Sequence, residues 1–219
     1  MSQREALLNE LIQRARMLSD TGLVVGTAGN LSVRLDGEIA ITPTSIPYEL
    51  IEPSDLCLID LDGRQTDGER RPSSEAPLHT QIYRTTDAAA VVHTHSPFAT
   101  TLACVIDVLP AIHYSIHRFG GDTIPVAEYE LFGSDALADK VSLLLKDRRG
   151  VLLRNHGAVT YGSSLAEAYD LTVMLEWLAR LYWQAKQLGE PRILTAAEIG
   201  EVAAEAKRRR YANTAASVQ

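Results

Sequence analysis

Residues 88–103 read AAAVVHTHSPFATTLA. An apolar run of strand length ends in two histidines two residues apart, His93 and His95, and gives way to Ser96-Pro97. The pattern predicts a strand feeding a helix. Serine is a favoured N-cap, and proline suits the first helical position because its missing N–H has no partner there anyway. Side chains two apart on a strand point to the same side. Both imidazoles therefore leave one side of the sheet edge. Imidazole nitrogen is a ligand for zinc and similar divalent ions, and catalytic sites generally hold the ion with three protein ligands and keep one position open. An HxH pair alone is equally read as two surface or core histidines, so a third ligand and a carboxylate decide.

His156 is the candidate third ligand. It follows another apolar run, in GVLLRNHGAVTYG (150–162), and Gly157 after it leaves room for a close backbone approach. The carboxylate is Glu75, in RPSSEAPLHTQIYRTT (71–86). That stretch predicts a helix capped by Ser73 or Ser74, with Pro77 in its first turn. A first-turn glutamate is favoured by the helix dipole alone. Beside two serines and free helix amides it also reads as an acid/base or metal ligand next to an anion site.

The surroundings alternate between strands and helices. Leu7, Leu8, Leu11, Ile12, Ala15 and Leu18 recur at helical spacing. NLSVRLDGEIAITP (30–43) is a hairpin turning at Asp36-Gly37, and LCLIDLDG (56–63) a strand ending in a turn at Asp62-Gly63. TIPVAEY (123–129) reads as a strand, SDALADKVSLLLK (134–146) as a helix and 150–162 as a strand or strand pair. A long helix over about 165–188 opens on the capping box Ser164-x-x-Glu167 and stops at Gly189. Thr195-x-x-Glu198 opens the last helix. The hairpins predict an α/β fold of α+β character: a mixed, largely antiparallel central sheet between helix layers.

Composition narrows the function. Lys plus Arg is 21 against 28 Asp plus Glu, a net charge of −7 that argues against broad nucleic-acid binding. A small anionic substrate is compatible, since amides and a metal supply local positive potential. Cys57 and Cys104 are isolated, which argues against a thiolate zinc finger or a disulfide framework. No apolar leader opens the chain and no apolar run reaches membrane-spanning length, so one cytoplasmic domain over 1–219 is expected, with no membrane partner. GTAGNLSVR (26–34) and ITPTSIPYEL (41–50) are built like ligand-contacting loops, though each alone reads as a turn. KRRR (207–210) reads as a solvated helix end, and Trp177, Tyr182 and Trp183 as core or subunit contact.

Taken in order, GTAGNLSVR, ITPTSIPYEL, PSSEAPLH, AVVHTHSPFATTLA, PAIHY, GGDTIPVAEYELFGS and LLRNHGAV resemble the class II aldolase/epimerase superfamily, and within it the branch acting on L-fuculose 1-phosphate. The resemblance spans nearly the whole chain. It implies that His93, His95 and His156 bind Zn2+, with Mn2+ or Co2+ as alternatives. Glu75 then ligates the metal at rest and swings away to act as base. Asn30, Thr44, Ser45, Ser73 and Ser74 match the phosphate pocket, with Ser45 where the family is expected to carry glycine. Tyr114 matches a catalytic tyrosine that reaches a neighbouring subunit's site, and Tyr211 a second one in the C-terminal tail. The implied assembly is a cyclic homotetramer with active sites at subunit interfaces.

The implied reaction is retro-aldol cleavage of a ketose 1-phosphate to dihydroxyacetone phosphate and a small aldehyde. A pentulose-phosphate aldolase for 5-deoxyribulose or methylthioribulose phosphate shares this core. So do a related dehydratase, a decarboxylase and L-ribulose-5-phosphate 4-epimerase, the last expected to carry Asp at Glu75. A non-catalytic, adducin-like scaffold is the alternative of a different class; three histidines and Glu75 weigh against it. His79, His113 and His117 have no assigned role, with His113 and His117 candidates for lining the cleft.

Overall fold

The computed structural model describes residues 2–209. Its elements in chain order are α1 (Gln3–Asp20), β1 (Asn30–Arg34), β2 (Ile39–Ile41), β3 (Cys57–Ile59), β4 (Gln65–Asp67), α2 (Ala76–Thr85), β5 (Ala90–Thr94), α3 (Pro97–Ala103), β6 (Val108–Pro110), β7 (Thr123–Ala127), α4 (Asp135–Leu144), β8 (Gly150–Leu153), β9 (Gly157–Gly162), α5 (Leu165–Leu188) and α6 (Ala196–Arg208). A 3₁₀ helix spans Tyr114–Phe119. The strands form one nine-stranded sheet in the order β4-β3-β2-β1-β5-β9-β8-β7-β6. Every neighbouring pair is antiparallel except β7 and β8. The sheet is therefore mixed and largely antiparallel, as the hairpins predict.

Period-two alternation assigns the two faces. Leu31, Val33, Ala40, Leu58, Ala90 and Val92 pack under α1 and the start of α5. On the same side Leu152 and Ala158 pack against α3 and the later part of α5. The alternate residues Ile39, Ile41, Ile59, Val91, Val151 and Val159 face α2 and α4. Helix layers thus cover both sides, and His93, two residues beyond Val91, points toward the α2 side.

Several local expectations are corrected. The N-cap of α2 is Glu75 itself, not Ser73 or Ser74. Ser73 instead turns its Oγ to accept from the Glu75 amide, 3.2 Å away. At α5 the Ser164 hydroxyl accepts from the Glu167 amide, but the reciprocal half of the capping box is missing. The Glu167 carboxylate accepts from Ser163 N and Oγ and pairs with Arg149. The box at Thr195 is complete. Strands β4 and β6 and the 3₁₀ helix have no periodic signal in the sequence: each is short, and Gln65–Asp67 is exposed throughout.

Candidate active site

The metal-ligand candidates converge from three places in the sheet. His93 is the penultimate residue of β5, His95 lies just past its end, and His156 sits in the turn joining β8 to β9. Strand β5 lies between β1 and β9, so β9 carries that turn to the same sheet edge. Glycine makes the approach possible. A Cβ on Gly157 would collide with Thr94 O and press on His95 Cδ2 at 3.1 Å. A Cβ on Gly29 would meet His93 O at 2.8 Å, and Gly29 also holds a φ of 79°, which L side chains rarely adopt.

The three rings stand edge-on, with every pair of centroids 4.9 Å apart. His93 Nδ1 lies 3.0 Å from Ala158 O. A carbonyl only accepts, so Nδ1 carries the proton and Nε2 presents its lone pair to the centre. That Nε2 is 3.0 Å from His95 Nε2 and 2.8 Å from Glu75 Oε2. Glu75 Oε1 is 3.3 Å from His156 Nε2, yet it is buried with no hydrogen-bond partner. One ligand atom from each of Glu75, His93, His95 and His156 lies within 4.8 Å of the others. Three imidazoles and a carboxylate suit a divalent cation, and the unpartnered Oε1 marks a charge that the surrounding side chains leave unmet.

The electrostatics agree. Burial alone raises a carboxyl's pKa, but the adjacent His93 and His156 outweigh it and hold Glu75 well below the usual carboxylate range. Burial, reinforced by His93 and His156, pushes His95 down to about 4. At neutral pH the centre therefore offers a carboxylate and an unprotonated His95, the forms a cation requires.

Beside this cluster lies a cleft of about 150 Å³ lined by Thr27, Gly29, Asn30, Thr44, Ser73, Ser74, Glu75, His95, Phe132 and His156, among others. Of the expected phosphate residues, Asn30, Thr44, Ser73 and Ser74 are at the cleft and Ser45 is not. Ser45 holds a φ of 61°, which explains in backbone terms why glycine is the expected residue there. The opening amides of α2 are not free for an anion: Glu75 N donates to Ser73 Oγ and Ala76 N to Ser73 O. The hydroxyls that line the cleft include those of Ser73, Ser74 and Thr44, beside the Asn30 amide.

Tyr114 stands apart. It is 52% exposed and does not line the cleft of its own chain. His113 and His117 do not line it either. His113 caps the 3₁₀ helix, accepting from Ser115 N, and packs between Tyr114 and Trp177. His117 bonds to Tyr114 O. Tyr211 lies outside the described residues. Sequence reasoning missed Thr27 and Phe132, both of which line the cleft, and Tyr48, whose hydroxyl donates to Ala28 O at 3.3 Å and braces the loop before Asn30. Each sits inside a stretch already singled out, but loop residues carry no periodicity to mark which one turns inward.

The pattern of the Class II Aldolase and Adducin N-terminal domain matches residues 9–183. The 5-methylthioribulose-1-phosphate/5-deoxyribulose-1-phosphate aldolase of Rhodospirillum rubrum is 40% identical over 200 residues, covering 91% of this chain and 90% of that one. The L-fuculose phosphate aldolase of Escherichia coli is 38% identical over 190 residues, 86% of this chain and 88% of that one. A solved L-fuculose 1-phosphate aldolase superposes with a TM-score of 0.88 at 38% identity, covering 94% of this chain and 98% of that one.

Proposed function

Since the chain belongs to the class II aldolase and adducin family, we propose that this metal-dependent sugar-phosphate aldolase cleaves a ketose 1-phosphate between C3 and C4, giving dihydroxyacetone phosphate and a short aldehyde. The observation that carries the reading is Glu75. One of its oxygens is 2.8 Å from His93 and the other is buried and unpartnered, and the same carboxylate borders the cleft lined by Ser73, Ser74, Thr44 and Asn30. A divalent ion held by His93, His95, His156 and Glu75, zinc in our reading, supplies Lewis acidity at the C2 carbonyl and C3 hydroxyl oxygens when bound.

The chain's own groups do the rest. The Ser73, Ser74 and Thr44 hydroxyls and the Asn30 amide hold the phosphate, which fixes the reacting carbons. In cleavage Tyr114 takes the proton of the C4 hydroxyl, the C3–C4 bond breaks, and its electron pair stays on the three-carbon fragment. In condensation the Glu75 carboxylate removes the C3 proton, and in cleavage it returns to C3 a proton that it has first taken up from solvent. The exposure of Tyr114 in its own chain supports donation to a neighbour's cleft, as does the exposed aromatic surface it shares through His113 with Trp177, which is 43% exposed. We place this domain, residues 1–219, in a cytoplasmic homotetramer; among the described residues no helix is long and apolar enough to cross a membrane.

One observation favours a second reading of the substrate. Phe132 lines the cleft while 60% exposed, so an apolar surface faces the bound sugar. A 5-deoxy- or 5-methylthiopentulose 1-phosphate, with its apolar terminus, fits such a wall, and the Rhodospirillum rubrum relative carries that name. A retro-aldol assay over phosphorylated ketoses, with the released aldehyde identified by mass spectrometry, separates the two readings. Acetaldehyde or a methylthio aldehyde supports the pentulose, lactaldehyde supports the fuculose type, and no cleavage of any 1-phosphate overturns both.

A further inference from the structure

Strand β1 alternates polar and apolar side chains, and both of its faces are buried. Asn30 is 4% and Ser32 0% exposed. A polar stripe in such a place needs partners. It finds them on the facing helix, where Glu75, His79 and Tyr83 recur at four-residue spacing, one above the other. Tyr83 OH lies 2.8 Å from Ser32 Oγ, and Ser32 Oγ lies 2.6 Å from His79 Nδ1. His79 Nε2 bonds Asn30 Oδ1, and Asn30 Nδ2 donates to Glu75 Oε2 at 3.1 Å.

The direction of this chain is set at its end. A carboxylate only accepts, so the Asn30 NH2 must face Glu75, which turns Oδ1 toward His79. His79 must then carry its proton on Nε2, and Nδ1 must accept from the Ser32 hydroxyl. Complete burial, with His93 nearby, keeps the ring neutral by pushing its pKa down to about 3. Every donor therefore points along one line toward the carboxylate.

We propose that His79 is a positioning residue that locks the Asn30 amide in the orientation giving Glu75 an N–H donor, and through it fixes the carboxylate against the histidine cluster. This rests on the reading of Glu75 as a ligand and acid/base group. Without the Nε2–H donor the Asn30 oxygen loses its partner, the amide is held at its NH2 end alone, and Glu75 is tied to a donor that is no longer fixed. His79 touches no reacting atom; it acts through Asn30.

Two near-isosteric variants separate positioning from mere core satisfaction. In His79→Gln the side-chain amide reaches where Nε2 was and keeps a donor for Asn30, while the Ser32 contact is lost. His79→Asn keeps a polar atom near Ser32 and loses the donor to Asn30. Each removes one of two hydrogen bonds, so a purely structural role costs both alike. Zinc affinity is measured by chelator competition on the full chain, with thermal unfolding of the metal-free variants alongside. His79→Asn is expected to weaken zinc roughly 10–100-fold, the usual range for partners of metal ligands, and to lower the turnover of C3 proton exchange. His79→Gln is expected to restore most of both. In an Asn30→Ala background the His79→Asn change should add no further loss of zinc affinity. Equal losses in the two variants, or an undiminished loss without Asn30, overturn the proposal. Where neither variant folds, Ser32→Ala leaves the ring in place but frees its tautomer, and unchanged zinc affinity there overturns it as well. Failure of the wild-type chain in the retro-aldol assay sinks the proposed function instead, and the zinc measurement still decides the role of His79.

Discussion

The two ends of the proposed catalytic machinery are built differently. At one end Glu75 is 5% and His93 0% exposed, carried by a helix start and a central strand, and every approach is tuned by a glycine or a hydrogen bond. At the other end, outside the cleft of its own chain, Tyr114 stands 52% exposed on a 3₁₀ helix with its ring against His113. One chain thus brings the candidate cation ligands together by itself, whereas Tyr114 stays away from them. The difference teaches where rigidity is needed. Groups that converge on a cation must be fixed within tenths of an ångström, and a buried sheet edge does that. A group that meets the departing fragment can come from a surface that becomes fixed on assembly.

The largest effects are expected at the closed end. His156→Ala removes a ligand that no neighbour replaces, so bound metal and activity should fall together to background; metal content by mass spectrometry and the retro-aldol rate check it. Full metal occupancy in that variant breaks the three-histidine account. Glu75→Gln preserves shape but removes the base, and a lost general base typically costs ~10²–10⁴-fold. Exchange of the C3 proton of dihydroxyacetone phosphate with deuterated water reads this directly. At the open end Tyr114→Phe should leave that exchange intact and slow carbon–carbon cleavage by about 10²-fold, the low end for a positioned acid. Equal slowing of both reactions removes the distinction between the two ends.

How much of this the sequence made legible follows the same divide. His93, His95, His156 and Glu75 stand beside periodic strands and a helix start, and in the structure their ligand atoms converge. The Asp36-Gly37 hairpin and the helix over Leu165–Leu188 carry turn and cap chemistry and appear where expected. Reading failed where local rules compete. Glu75, at φ −98° and ψ 16°, displaced the serines as N-cap, and Ser73 caps its amide instead. The α2 amides are consumed by Ser73, which no spacing rule reveals. Phe132 and Thr27 are turned inward by loop geometry alone. His79 went unassigned because its partners, Ser32 and Asn30, sit on another element and reach it only through the sheet-to-helix packing.

Smaller effects test the closed end's burial. His79 has a folded pKa near 3 against an ordinary 6.5. The folded chain therefore binds fewer protons there than the unfolded chain, and the associated stability is present above about pH 6.5 and lost as pH falls toward 3. Glu75, also depressed, acts in the same direction. Urea midpoints of the metal-free protein should fall across that window, and His79→Gln should flatten the upper part of the fall. The smallest effect is at Ser45. Glycine relieves a left-handed residue but adds unfolded-state freedom, so Ser45→Gly should stabilise the chain by no more than about 1 kcal/mol, read as a small rise in thermal midpoint.

Subunit mixing decides whether one half of the site is made within a chain and the other is borrowed. Glu75→Gln and Tyr114→Phe chains, each strongly slowed in cleavage alone, are unfolded together and reassembled. Activity should return, because some interfaces then bring an intact Glu75 to an intact Tyr114. Mixed assemblies that form, as shown by native mass spectrometry, and yet stay inactive would contradict it and return Tyr114 to its own chain's cleft or to no role at all.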